Sequence, residues 1–260
     1  MRFGATEHRP HWLLVGLGLA VIAATYLFLI LIGSNGLGTS GATGSSALIT
    51  LTGYLVGAAL IIWGVSRQFT TSTYVLIPLA IAINIVGGQL IKLTGLPLYL
   101  DSIGTVLVGV LVGPWAGAAT GGLANIIAGL TVDPVALPFA VVAIVIGLLA
   151  GVFTRLGWLK RIYLVPVAGL ITGVIAAFLS SPVAAYVYGG VTGTGQDALV
   201  AAFRAYGNSI LEATTLQGLA ADPLDKVVTY VVAYLIVVAL PQRMRTRFSQ
   251  SGANFDKLPQ

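Results

Sequence analysis

Eight apolar runs follow one another along the chain: Trp12 to Gly33, Ala47 to Val65, Tyr74 to Leu90, Leu98 to Val112, Trp115 to Leu130, Leu137 to Phe153, Tyr163 to Leu179 and Pro223 to Leu240. A hydrocarbon layer about 30 Å thick asks for roughly 20 apolar residues per helix, somewhat fewer where small or interfacial residues flank the run. The breaks between runs carry turn or charge signals, and the shortest, between the fourth and fifth, is Gly113 and Pro114 alone. The pattern predicts an all-α polytopic membrane helical bundle.

Two connecting stretches differ in kind. Gly33 to Ser46 is rich in Gly, Ser, Thr and Asn, carries no charge, and reads as a flexible outside loop. Over Asp197 to Ala221, helical spacing sets Leu199, Phe203, Tyr206 and Ile210 apart from Arg204, Asn208 and Glu212, which predicts an outside amphipathic helix. A ninth span there would bury Arg204 and Glu212 at mid-membrane.

Composition agrees with the pattern. With 57% hydrophobic and 8% charged residues, the chain is not a water-soluble enzyme. The net charge is +5, but charges this sparse do not build the dense basic face that nucleic acid requires. They read as topology instead. Eight spans put both termini on one side, where Arg2, Arg9, Arg67, Arg155, Lys160, Arg161, Arg243, Arg245, Arg247 and Lys257 fall, against Lys92, Arg204 and Lys226 opposite. Asp101, Asp133, Asp197, Glu212, Asp222 and Asp225 lie on or near that opposite side. The bias places both termini in the cytoplasm of a multi-pass cell (inner) membrane protein. Further spans after the first argue against a cleavable signal.

Several chemistries drop out. The chain has no cysteine, and His8 and His11 precede the first span. Gly38-Thr39-Ser40-Gly41 looks like an intramembrane protease serine motif, but no base reaches Ser40 across the membrane. No Lys-Ser or Lys-Thr pair follows a GxxxxG, so there is no P-loop. Without a membrane-level His or Cys, or paired carboxylates within one helix, neither enzyme chemistry, a cofactor nor a metal is expected.

Polar residues within apolar runs face a cavity or another helix more often than lipid. Asn84 and Gln89 lie on the third run, Asp101 near the start of the fourth, and Asn125 on the fifth. For both asparagines an interhelical hydrogen bond and a ligand contact stand side by side. Asn84 lies between Ala80 and Gly88 on a small-residue stripe, and Gly117 and Gly121 form another that Asn125 extends. Asp133-Pro134 and Asp222-Pro223 read as helix starts with acidic caps. Lys226 then falls in a first turn, where the dipole disfavours a cation, so it needs Asp222, Asp225 or an anionic ligand group as partner. Tyr99, Tyr186, Tyr188, Phe203 and Tyr206 gather near the outer face, and Gly189 to Gly195 forms a glycine-rich stretch whose backbone can approach a ligand.

A family resemblance runs through these residues. The stretch from Asn84 through Asn125 contains Gly87-Gly88-Gln89-Leu90, Leu96-Pro97-Leu98-Tyr99-Leu100-Asp101, Ser102-Ile103-Gly104-Thr105 and Gly113-Pro114-Trp115-Ala116-Gly117. With Pro182-Val183-Ala184-Ala185-Tyr186 and Asp222-Pro223-Leu224-Asp225-Lys226, it resembles the membrane-embedded, substrate-binding S components of energy-coupling factor (ECF) transporters. The likeness covers about Tyr74 to Arg247. It implies a six-helix core that captures a vitamin or similar micronutrient at its outer face and docks on a transmembrane T component bearing two cytoplasmic ATPase subunits. The T-component stripe of such proteins falls here on Ala80, Asn84 and Gly88.

The organisation expected is therefore a two-helix membrane addition over residues 1–70, a six-helix substrate-binding core over 71–248 and a cytoplasmic tail over 249–260. Asn84, Gln89, Tyr99, Asp101, Asn125, Tyr186, Glu212 and Lys226 are the candidate substrate-binding residues. Their amides and carboxylates suit the edge of a nitrogen heterocycle, with aromatic rings covering its faces. The alternative is a membrane ligand sensor or scaffold that does not transport, using its basic tail on cytoplasmic proteins or anionic lipid.

Overall fold

A computed structural model of the protein describes residues 10–31, 45–67, 69–96, 98–241 and 244. Among these the chain is helical, without strands: α1 (Trp12–Leu31), α2 (Ser45–Ser66), α3 (Thr71–Thr94), α4 (Ile103–Leu111), α5 (Pro114–Thr131), α6 (Ala140–Arg155), α7 (Leu164–Tyr186), α8 (Asp197–Ala205) and α9 (Ile210–Ala239). Short 3-10 turns at Pro134–Phe139 and Trp158–Lys160 precede α6 and α7.

Five helical stretches are long and apolar enough to cross a membrane, Trp12–Leu31, Leu48–Ser66, Thr71–Thr94, Pro134–Arg155 and Leu164–Tyr186, which is compatible with a multi-pass membrane protein. Their outer faces hold large apolar side chains in the open, Leu13 at 84% and Trp63 at 70% exposure among them. Water penalises such a surface and lipid does not.

Of the eight spans expected, the fourth, fifth and last, which correspond to α4, α5 and α9, are not among these five, and the fourth and last runs also differ in extent from the expectation. The fourth run is helical only over the nine residues of α4, a rise of about 14 Å. That is too short to cross the bilayer. Its apolar character has another cause: Gly104 to Leu111 are all buried, enclosed by α3, α5, α6 and α9. The last run also starts earlier than expected, because Asp222-Pro223 is not a helix start. α9 is one helix of 30 residues that passes through Pro223. It begins at Ser209, whose side chain accepts the Glu212 amide while Glu212 accepts the Ser209 amide. Pro223 only deprives the Leu219 carbonyl of its donor, a loss that a packed bundle tolerates. The amphipathic stretch is accordingly divided into α8 and the first turns of α9, with Gly207 at φ 90° between them.

Of the loop expected over Gly33 to Ser46, Ser45 and Ser46 belong to α2, and the rest, with Ser40, lies outside the described residues. So do His8, Arg2, Arg9, Arg243, Arg245, Arg247, Lys257 and the tail 249–260.

Small residues set the helix spacing. Gly173 of α7 lies against the backbone of Asp222 and Pro223, and Gly169 against that of Lys226 and Val227, so α7 and α9 pack closely along the polar part of α9. Gly117 of α5 meets Gly147 of α6 in the same way, which gives the predicted glycine stripe its partner. The α1–α2 hairpin stands against α5, α6 and α7. Two tyrosines tie it down: Tyr26 donates to the Leu179 carbonyl at 2.8 Å and Tyr54 to the Pro138 carbonyl at 3.3 Å.

The C-terminal ends of α3 and α7, the N-terminal end of α6 and the first half of α9 converge at one end of the bundle. Lys92, Asp101, Asp133, Asp197 and Asp222 gather there. Arg155 closes α6 at the opposite end, about 23 Å of helix away.

Candidate functional site

The site is organised by two adjacent residues of α9. Asp225 is wholly buried, and one carboxylate oxygen accepts the amides of Tyr99 at 2.8 Å and Leu100 at 2.9 Å. Leu100 has φ 46°, a left-handed conformation that a leucine adopts only when held, and these two bonds hold it. The other Asp225 oxygen pairs with the Lys226 ammonium. Lys226 also donates to Ser102 Oγ at 2.8 Å and lies 3.5 Å from Asp101, to which Ser102 in turn donates at 2.8 Å. The Tyr99 ring lies 6.0 Å from the same ammonium. Lys226 is therefore a mid-helix cation in a built ion pair rather than a first-turn residue, so of the partners expected for it Asp225 is the principal one.

Asn84 shows a similar economy. Its side-chain oxygen accepts the Gly104 amide at 2.7 Å, and its amide donates to Thr105 Oγ1 at 2.7 Å. Ser102, in the N-cap position of α4, makes no cap bond because its hydroxyl serves Lys226 and Asp101. Asn84 caps α4 from a different helix in its place.

Above this framework lie two adjoining cavities of about 140 and 90 Å³. Tyr99, Asp101, Asn125, Asp133, Ala136 and Thr194 line both. Phe139, Val142 and Ile146 form an apolar wall of the larger one, and Ser180, Gln217, Asp222 and Lys226 a polar one. A single water needs about 10–15 Å³ on this measure, so the larger cavity has room for a compact organic molecule. Asn125 donates to the Ala136 carbonyl at 3.1 Å, and Lys92 pairs with Asp133 at 2.9 Å. The glycine-rich stretch forms part of the rim through Gly190, Thr192 and Thr194. Asp197 pins it by accepting the amides of Thr192 at 3.0 Å and Gly193 at 2.8 Å.

Of the residues singled out in the sequence, Tyr99, Asp101 and Asn125 line both cavities, Lys226 the larger, and Asn84 and Gln89 the smaller. Tyr186 and Glu212 line neither. Tyr186 ends α7 and is 39% exposed. Glu212 is the exposed partner in the α9 capping box, and the Ser209 backbone amide holds its carboxyl below the ordinary Glu value. The residues of the expected docking stripe lie at the α3–α4 contact. Ala80 and Asn84 are buried beneath α4, where the Ala80 carbonyl meets Gly104, and Gly88 faces Asp101. That face is filled by the chain itself.

Sequence reasoning missed Asp222, read there as a simple cap, and it did not place Asp133, Asp197 or Gln217 in the site. The signal for Asp222 was present: Asp222, Asp225 and Lys226 share a face at spacings of three and four once α9 is continuous. The X-Pro step at Asp222-Pro223 concealed that continuity.

Compared with known proteins, the chain matches no family model, no curated protein and no solved structure.

Proposed function

We propose that the protein is the substrate-capture subunit of an ATP-driven importer of the ECF type, binding a vitamin or nucleobase-like small molecule in the paired cavities at one end of its helical bundle. The observation that carries this reading is the convergence of Tyr99, Asp101 and Asn125, from different parts of the chain, on cavities that also have an apolar wall. The resemblance in sequence between Tyr74 and Arg247 supplies the transporter class. An outward-facing site with cytoplasmic termini is supported by the position of the cavities at the end away from Arg155, Lys160 and Arg161, the end that a positive-inside bias assigns to the cytoplasm.

In this reading the chain binds its solute without transforming it. The T component and two ATPase subunits supply the energy, and the α1–α2 hairpin is an addition to the transporting core. With Ala80 and Asn84 covered by α4, docking falls to the lipid-facing side of α3, where Val75, Leu79, Val86 and Leu90 are exposed.

The test is affinity purification of the full chain from its native membrane, with mass spectrometry of both proteins and small molecules. Recovery of a membrane subunit with two ATPases and a bound micronutrient is the expected result. A signalling protein in their place would support the sensor, and neither would leave the importer without its partners.

A further inference from the structure

Asp222 is 4% exposed and lines the larger cavity. One of its carboxylate oxygens accepts from Ser180 Oγ at 3.3 Å; the other, Oδ1, is buried without any hydrogen-bond partner. A carboxylate oxygen withdrawn from water and given no donor is strongly unfavourable, so it is retained where a donor arrives from elsewhere.

The surrounding charges indicate what kind of donor. Lys226 lies one turn further along α9, but its ammonium is engaged by Asp225, Ser102 and Asp101. Lys92 is engaged by Asp133. Once those pairs cancel, Asp101, Asp197 and Asp222 remain around the cavity, with no further Lys or Arg among the residues that line it. The space thus carries an excess of negative charge beside an apolar wall of Phe139, Val142 and Ile146.

Resting on the small-molecule reading above, we infer that the larger cavity selects a compact, positively charged nitrogen compound, whose N–H group donates to Asp222 Oδ1 while its apolar body lies against Phe139. The electrostatic preference and the hydrogen bond act at the same atom, which gives the contact both strength and direction. An anion of the same size meets the three carboxylates and is rejected.

Matched probes test this on the purified full-length chain in a neutral detergent: benzylamine, benzyl alcohol and benzoate at neutral pH, with affinities from ligand-observed NMR. A cavity of about 150 Å³ accommodates benzene, so the ring itself is no obstacle. Benzylamine should bind about tenfold or more tightly than benzyl alcohol, with benzoate weakest. Asp222→Asn, close to isosteric, should erase that preference, and Glu212→Gln, off the cavity, should keep it. Should Asp222→Asn fail to fold, the wild-type ratio of benzylamine to benzyl alcohol decides alone. Equal binding of the two, or a preference that survives Asp222→Asn, overturns the inference while leaving small-molecule capture intact. Failure of benzylamine to bind saturably overturns the inference as well, while recovery or absence of a bound micronutrient in the affinity purification decides the small-molecule reading separately.

Discussion

The carboxylate of Asp225 holds the amide of Tyr99 at 2.8 Å across 126 residues of sequence. Through this bond and its companion to Leu100, α9 fixes the non-helical approach to α4 and with it the Tyr99 ring that borders both cavities. A buried carboxylate, its lysine and a strained leucine thus form one unit.

Breaking that unit exposes its energetics. Asp225→Asn leaves the Lys226 ammonium without its principal counter-charge in a buried position, a change that costs about 3–5 kcal/mol. Chemical denaturation in detergent should show this loss. Lys226→Met in the Asp225→Asn background should recover part of it, because the orphaned charge is gone; a coupling energy of at least about 1 kcal/mol is expected.

The interhelical cap can be tested through stability and exchange at α4. Asn84→Ala removes the acceptor for the Gly104 amide and should destabilise the protein by about 1–2 kcal/mol, with faster amide exchange in the first turn of α4. Asn84→Asp retains the acceptor and should protect Gly104 better than Ala does.

The hairpin braces the cavity wall through Tyr54. Tyr54→Phe deletes the bond to the Pro138 carbonyl, worth about 0.5–1.5 kcal/mol, and hydrogen exchange should accelerate over Pro134–Phe139. Exchange in α3, which Tyr54 does not brace, should remain unaltered.

Two glycines should respond in opposite directions. Gly147 lies backbone to backbone against Gly117, so Gly147→Ala overpacks the α5–α6 contact and should lower stability by about 1–3 kcal/mol or more. Gly16 has open space where a Cβ would go, and Gly16→Ala should raise helix stability by about 0.5–1 kcal/mol. Thermal unfolding of both variants checks the sign.

The Ser209–Glu212 box is acid-sensitive. Because the Ser209 amide lowers the Glu212 pKa in the folded state, its contribution is present above the unfolded Glu value, about 4.3, and is lost as pH falls through the folded one. Protection of the first-turn amides of α9, taken as the exchange rate relative to the intrinsic rate at the same pH, should therefore fall as the pH drops through the folded value. In Glu212→Gln, which has no carboxyl to protonate there, that dependence should disappear, with ligand affinity unchanged because residue 212 is off the cavity.

The helices readable from the chain were those whose apolar runs have a sequence-local cause. For α1, α2, α3, α6 and α7, length and apolarity alone mark a stretch suited to lipid. α4 has the same composition for a different reason, enclosure by neighbouring helices, and periodicity does not separate a buried helix from a lipid-facing one. Asp222-Pro223 carried a local stop signal that packing overrode. Gly169 and Gly173 let α7 close on the continuous helix at the proline.

Membrane character, helix content and the presence of polar residues in apolar surroundings followed from composition and pattern, because burying apolar surface and satisfying backbone amides are demands that each segment meets largely alone. Which polar groups pair with each other did not. Asn84 found α4, Lys226 found Asp225 and Ser102, and Asp222 Oδ1 found no donor. Those outcomes depend on distances between segments far apart in the chain, and a hydrogen bond or an unmet charge comes into being only when packing sets those distances.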